Sequence, residues 1–350
     1  MLPFAEAPRS VCILRLSAIG DTCHVVPVLR TMQQAWPATR FTWIIAKTES
    51  HLMRLIEGVE FIIVDKRAGL SARSVVRRQL ADKRFDVLLH MQVALRASLI
   101  AHQVRAAVKL GFDRARAREL QWLFTNARIA ARPREHVLDG FFGFAAALGI
   151  KERLLRWDIP LPVEAQEYAR KLIPDAQPTL IISPCSSHVR RNWRPERYAA
   201  VAAHAVRRHG MRVILSGGGG ILERTTGAAI EREAGVPIMN QIGRDTLPEL
   251  LALLGRASVL LSPDSGPVHM ATMTATPVLG LYGATNPARS GPYLSRQWCV
   301  DAYGEAARRF RHREPEELPW TEKIEEAGVM DLIQVDQVVA KFDELLRSRP

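Results

Sequence analysis

Short uninterrupted runs of apolar residues, each followed by a stretch of helical character, recur along this chain and constrain its fold more than any other feature. A strand buried on both faces has no polar side to alternate with, so continuous Val, Ile and Leu runs mark parallel strands covered by helices. In the first half such runs fall at 11–16, 41–46, 61–65, 85–90 and 108–112. After a stretch marked by Pro160, Pro162, Pro174 and Pro178 the pattern restarts, with runs at 179–183, 211–216, 259–262 and 277–282. At 350 residues the chain is long for one core and comfortable for two. The expected architecture is α/β, with two Rossmann-like doubly wound parallel-sheet domains, 1–175 and 176–330, facing across a cleft. Such sheets bind ligands beyond the carboxyl ends of their strands. A final helix near 334–347 carries a one-sided apolar stripe, Val335, Val338, Val339, Phe342, Leu345 and Leu346, that must dock on one of them.

Several classes lose ground at once. The apolar stretch 137–150 is interrupted by Asp139 and glycines and is too short to span a bilayer. Nothing at the amino terminus resembles a secretory signal, so the cytoplasm is the expected compartment. Cysteines 12, 23, 185 and 299 lack the close spacing of a zinc or redox site. The net charge of +12 is uneven, with 27 basic and 17 acidic residues before position 176. Residues 71–118 hold eleven Lys or Arg and three Asp, including Arg73, Arg77, Arg78, Arg114, Arg116 and Arg118. Such asymmetry suggests an anionic partner, whether nucleic acid, phospholipid headgroups or a phosphorylated acceptor, although taken alone a solvated helix face is the better account of it.

Chemistry-bearing residues cluster just past predicted strands. In the first domain Ser17-Ala18-Ile19-Gly20-Asp21 closes a buried strand and opens a helix. Asp21 is either an N-cap or a carboxylate placed at a cleft edge to take a proton from a hydroxyl. The turn lacks both the G-x-G-x-x-G of a dinucleotide site and the Gly-Lys-Ser/Thr of a phosphate loop. In the second domain Ser186 and Ser187 offer hydroxyls, and Arg190 or Arg191 a forked cation suited to phosphate oxygens. Gly217 to Gly220 would let backbone approach a ligand, with Glu223 a candidate ribose partner. In Ser262-Pro263-Asp264-Ser265-Gly266-Pro267-Val268-His269, Asp264 is expected to cap a helix whose free amides and dipole form an anion site; His269 either bonds a phosphate or packs. No D-x-D triplet occurs, so nothing in the sequence suggests a diphosphate-holding metal, and no cofactor is expected.

In combination and order, Ile19-Gly20-Asp21 with Pro27, Arg191-Asn192-Trp193, Asp264-Ser265-Gly266 with His269, and Leu281-Tyr282-Gly283 through Asn286-Pro287 to Gly291-Pro292-Tyr293 resemble glycosyltransferase family 9, the ADP-heptose lipopolysaccharide heptosyltransferases. The resemblance implies a GT-B fold, with residues 331–350 crossing back onto the first domain. It implies an enzyme at the cytoplasmic face of the inner membrane, peripheral to it, that transfers heptose from ADP-L-glycero-β-D-manno-heptose with inversion and without a metal. Asp21 falls at the family's catalytic base, and Asp264, Ser265, Gly266 and His269 fall in its donor-binding motif. Arg191 stands where the family often has lysine, keeping the charge but changing its geometry. On this reading Ser186, Ser187 and Arg191 assist the departing ADP. Arg114, Arg116 and Arg118 are candidate contacts to an anionic lipid A–core acceptor, and nucleic acid is not a partner. The alternatives are a relative using another nucleotide sugar, glycan or protein acceptor, and a non-catalytic binding relative. A nucleic-acid binder would rest on charge alone.

Overall fold

The computed structural model describes residues 2–68 and 70–348, without the side chains of 68 and 70–73. Arg73 therefore lies outside the described side chains. The chain divides into two units, 1–160 and 161–350.

In the first unit β1 (Ser10–Leu14), α1 (Ile19–Ala35), β2 (Arg40–Ala46), α2 (Lys47–Met53), β3 (Val59–Val64), α3 (Leu70–Gln79), β4 (Phe85–His90), α4 (Leu95–Gln103), β5 (Ala106–Gly111), β6 (Ala127–Arg128) and α5 (Val137–Ala147) follow one another. The sheet is parallel, in the order β3-β2-β1-β4-β5-β6. β1 reads Ser-Val-Cys-Ile-Leu with every residue buried, as a central strand covered on both faces requires.

The second unit begins with α6 (Val163–Leu172), then β7 (Thr179–Ile182), α7 (Pro195–His209), β8 (Arg212–Leu215), α8 (Ile221–Ala234), β9 (Met239–Asn240), α9 (Leu247–Arg256) and β10 (Val259–Pro263). It continues with α10 (Gly266–Met273), β11 (Val278–Tyr282), α11 (Pro287–Ser290), β12 (Val300–Asp301), α12 (Tyr303–Arg311) and α13 (Val335–Arg347). Its sheet, β12-β11-β10-β7-β8-β9, is also parallel and repeats the first topology strand for strand. In each sheet the strand order reverses between the first strand and the fourth, at β1/β4 and at β7/β10. That reversal opens the crevice in which doubly wound sheets take their ligands.

Local chemistry sets the helix bounds. α7 starts on Pro195 with Glu196 in its first turn, and ends on Arg207, Arg208 and His209 before Gly210 at φ +59°. This arrangement complements the helix dipole and uses glycine where the left-handed cap demands it. At α9, Glu249 accepts from the Thr246 amide at 2.7 Å, closing a capping box.

The boundary between the units differs from the expected one. The division falls at Pro160/Leu161 rather than at 175, because α6 packs against α9 of the second unit. The apolar stripe of the last helix packs within the second unit: Val338, Phe342 and Leu345 of α13 are buried in its core, and α13 lies on α7.

Candidate active site

In the first unit the loop after β1 delivers Asp21 to the switch point as the third residue of α1. Its Oδ2 is ion-paired with the Arg15 guanidinium and accepts from the Ala18 amide at 3.4 Å. Asp21 is therefore not the N-cap, which is Ala18; from the third helical position its carboxylate accepts from the N-cap amide and keeps 31% of its side-chain surface open. Arg15 is anchored independently: it donates to the Met91 carbonyl at 2.6 Å, beyond β4, and its guanidinium lies 5.3 Å from the Phe141 ring centroid. Arg15 thus ties the loops after β1 and β4 together and aims the carboxylate. Sequence reasoning passed over it, although its place at the end of β1, six residues before Asp21, was the available signal.

The second unit repeats the scheme with more charge. Ser262 of β10 donates to the Ser183 carbonyl beyond β7 at 2.8 Å, and Ser265 lies 2.8 Å from the Ser262 hydroxyl. Because the Ser262 proton is committed to that carbonyl, Ser265 donates to Ser262. This hydroxyl chain closes the floor of the β7/β10 crevice. Ser265, not Asp264, is the N-cap of α10, and its side chain makes no capping bond. The carboxylate of Asp264 instead lies 3.7 Å from Nη1 of Arg191. His269 is buried one turn into α10.

Arg191 is mostly buried and donates from Nε and Nη2 to a single Glu325 oxygen, at 2.8 and 2.6 Å. His188 Nε2 approaches the other Glu325 oxygen at 3.5 Å. Burial alone would raise the Glu325 carboxyl pKa, but the Arg191 bond and cation outweigh it and hold that pKa below the usual range. Lys323 belongs to the same cluster; burial first, then the cations of Arg191 and Arg289, push its ammonium pKa down. Neither Glu325 nor Lys323 was expected. They lie in a polar stretch without periodicity, more than 130 residues from Arg191, where no local pattern announces a contact.

Other expected donor contacts are partly occupied. The Ser186 hydroxyl donates to the His188 carbonyl and accepts the His188 amide, while the Ser186 amide donates to Asn192. These bonds fold the 186–192 loop on itself, and Ser187 is exposed. Glu223, in the first turn of α8, lies close enough to influence the Cys185 thiol, whose pKa burial raises. Its carboxylate folds over the glycine turn, where a Cβ at Gly220 would clash with Oε2. A Cβ at Gly243, with φ +75°, would meet the Gly219 Cα at 2.8 Å. These glycines serve side-chain and backbone packing within the unit, which accounts for them without a ligand.

Of the three candidate acceptor arginines, Arg116 is committed internally. It is ion-paired with Asp113 and Glu135 and donates to the Ala130 carbonyl at 3.0 Å. Arg114 lies 4.4 Å from the Trp122 ring centroid, a cation–π contact. Arg118 lies in the loop between β5 and β6, and the neighbouring Leu120, Trp122 and Leu123 are exposed.

The family model of glycosyltransferase family 9 (heptosyltransferase) matches residues 73–320. The lipopolysaccharide core heptosyltransferase OpsX of Haemophilus influenzae is 38% identical over 342 residues, covering 98% of this chain and 98% of its own. Among solved structures, the family 9 glycosyl transferase of Veillonella parvula has a TM-score of 0.78 at 21% identity, covering 97% of this chain and 98% of that one. The E. coli heptosyltransferase WaaC with ADP has a TM-score of 0.73 at 21% identity, covering 96% and 99%. These two structures bear on the fold alone, which is GT-B. The chain belongs to glycosyltransferase family 9, the heptosyltransferase family, and is a glycosyltransferase.

Proposed function

We propose that this enzyme transfers heptose from ADP-L-glycero-β-D-manno-heptose to the inner core of lipopolysaccharide, on Kdo-lipid A or the first core heptose, with inversion and without a metal ion. The observation that carries the reading is Asp21, a partly open carboxylate aimed by Arg15 at the switch point of the first sheet. The relative identified as a lipopolysaccharide core heptosyltransferase, similar along nearly its whole length, supports the acceptor class.

In the proposed reaction the acceptor hydroxyl oxygen attacks the anomeric carbon, the bond from that carbon to the diphosphate breaks with its electron pair, and the hydroxyl proton passes to Asp21. Oδ2 is engaged by Arg15 and Ala18, so Oδ1 takes the proton. The departing ADP is stabilised by Arg191, by the amides at the start of α10 and by the serines at 186, 187 and 265; His269 and Asp264 shape the pocket around it. Glu223 is the proposed ribose contact. Arg114 and Arg118 face the anionic acceptor. With exposed Leu120, Trp122 and Leu123 beside them, they support peripheral contact with the cytoplasmic face of the inner membrane.

Incubation with ADP-heptose and defined lipid A–Kdo acceptors tests the proposal. Mass spectrometry should find a heptosylated product and stoichiometric ADP. Turnover of a different nucleotide sugar, with none of ADP-heptose, would refute the donor assignment.

A further inference from the structure

The carboxyl-terminal half of α7 and the middle of α13 bring two imidazoles onto one carboxylate. Nε2 of His204 and Nε2 of His209 each lie 2.7 Å from the same oxygen, Oδ1 of Asp343. The ligand atoms of the three residues all lie within 4.8 Å of one another. This convergence is not the default of a helix, because residues five apart are separated by about 140° around the axis. His209 reaches the cluster from the last position of α7, just before the left-handed Gly210. The buried Phe342 backs both rings, at 5.7 Å from His209 and 6.4 Å from His204, edge to face in each case. All three side chains keep roughly a quarter to a third of their surface open, leaving an approach for an ion and its waters.

We propose that His204, His209 and Asp343 form a binding site for a zinc-class divalent ion. Two imidazole nitrogens and one carboxylate oxygen are a borderline donor set that suits Zn(II), and water fills the remaining position. Binding exchanges two N–H···O hydrogen bonds for two nitrogen–metal bonds and one oxygen–metal bond; each Nε2 gives up its proton, to Nδ1 of the same ring or to water. The cluster joins positions 134 and 139 residues apart, so the ion clamps the terminal helix to the helix layer of the second unit. In a doubly wound unit the helices run antiparallel to the strands, so His209 lies about 20 Å along α7 from the end near Arg191. The site is thus a stabilising clamp and takes no part in transfer chemistry.

The test uses the full chain, with Zn(II) titrated by calorimetry into the wild type and into His204→Gln/His209→Gln. Glutamine can still donate to Asp343, so the helix contact survives without the imidazole ligands. The wild type should bind one ion per chain, and the double variant should bind it at least about a hundredfold more weakly. Zn(II) at about a hundred times its Kd should raise the wild-type Tm by about 5 °C or more and leave the variant unmoved. The cobalt(II) complex should show nitrogen and oxygen ligation without a thiolate charge-transfer band, which separates this site from the cysteines. Transferase turnover should be the same in both proteins. Equal affinity in the two proteins, no saturable binding to the wild type, or a thiolate band would overturn the assignment and leave the cluster a hydrogen-bonded tie.

Discussion

Replacing Asp21 by asparagine keeps the side chain's shape and leaves an oxygen to accept from Arg15, but removes the basic lone pair that proton transfer requires. The two consequences differ in size. On stability, the change weakens an ion pair whose partners are 12% and 31% exposed, and solvent screening limits that loss to about 1 kcal/mol or less. For a unit of this size the Tm should fall by no more than about 2–4 °C. Against a total stability of about 5–15 kcal/mol, more than about 99% of the molecules stay folded. On turnover, loss of a positioned general base costs about a hundred- to ten-thousandfold. That loss corresponds to roughly 3–5 kcal/mol of barrier, well beyond anything the stability change produces. The assay is ADP release at saturating donor and acceptor, with calorimetry of ADP binding alongside. The expected result is a collapse of kcat with donor affinity preserved within about twofold. A variant that keeps kcat within about threefold of wild type would show that Asp21 is a partner of the Ala18 amide and of Arg15, and not the base.

The charge cluster of the second unit makes further predictions. Glu325 occupies the Arg191 fork that the donor diphosphate is proposed to take, so Glu325→Gln should tighten ADP binding about two- to fivefold by calorimetry, the size of a partly exposed ion pair; weaker binding would mean that the carboxylate is needed to aim Arg191. The same group predicts an acid limb. Its native pKa is depressed, so its contribution to stability is complete above the unfolded value near 4.5 and is lost as pH falls from there through the native value. Glu325→Gln should accordingly lose less stability than wild type between about pH 5 and pH 3 in urea titrations. Gly243→Ala puts a Cβ 2.8 Å from the Gly219 Cα at a positive φ and should cost about 1–3 kcal/mol, read as a lowered Tm. Phe342→Ala empties a fully buried site under α13 and should cost about 3–5 kcal/mol in urea unfolding; a cost below about 1 kcal/mol would refute the docking of that helix on the second core.

What the sequence disclosed and what it withheld divide along a physical line. β4 at 85–90 and the start of α8 at Ile221 are legible because a continuous apolar run and a glycine turn are local signals. β6, β9 and β12 were missed because each is only two residues long, an edge strand with no run to detect. The same division holds in the site. Asp21 and Asp264 could each be placed just past a buried strand, and the switch-point rule turns such a position into a candidate site. No comparable rule reaches Arg15's hold on the Met91 carbonyl, or Glu325's hold on Arg191, because both join residues far apart in sequence. The stripe on α13 is equally instructive: its period declares an apolar face, but a face carries no address, and only packing against α7 and the second core supplies one. Periodicity therefore locates the residues that a doubly wound unit presents at its crevice, whereas the charges that aim them come from loops and helix ends whose positions are fixed only once the whole unit has packed.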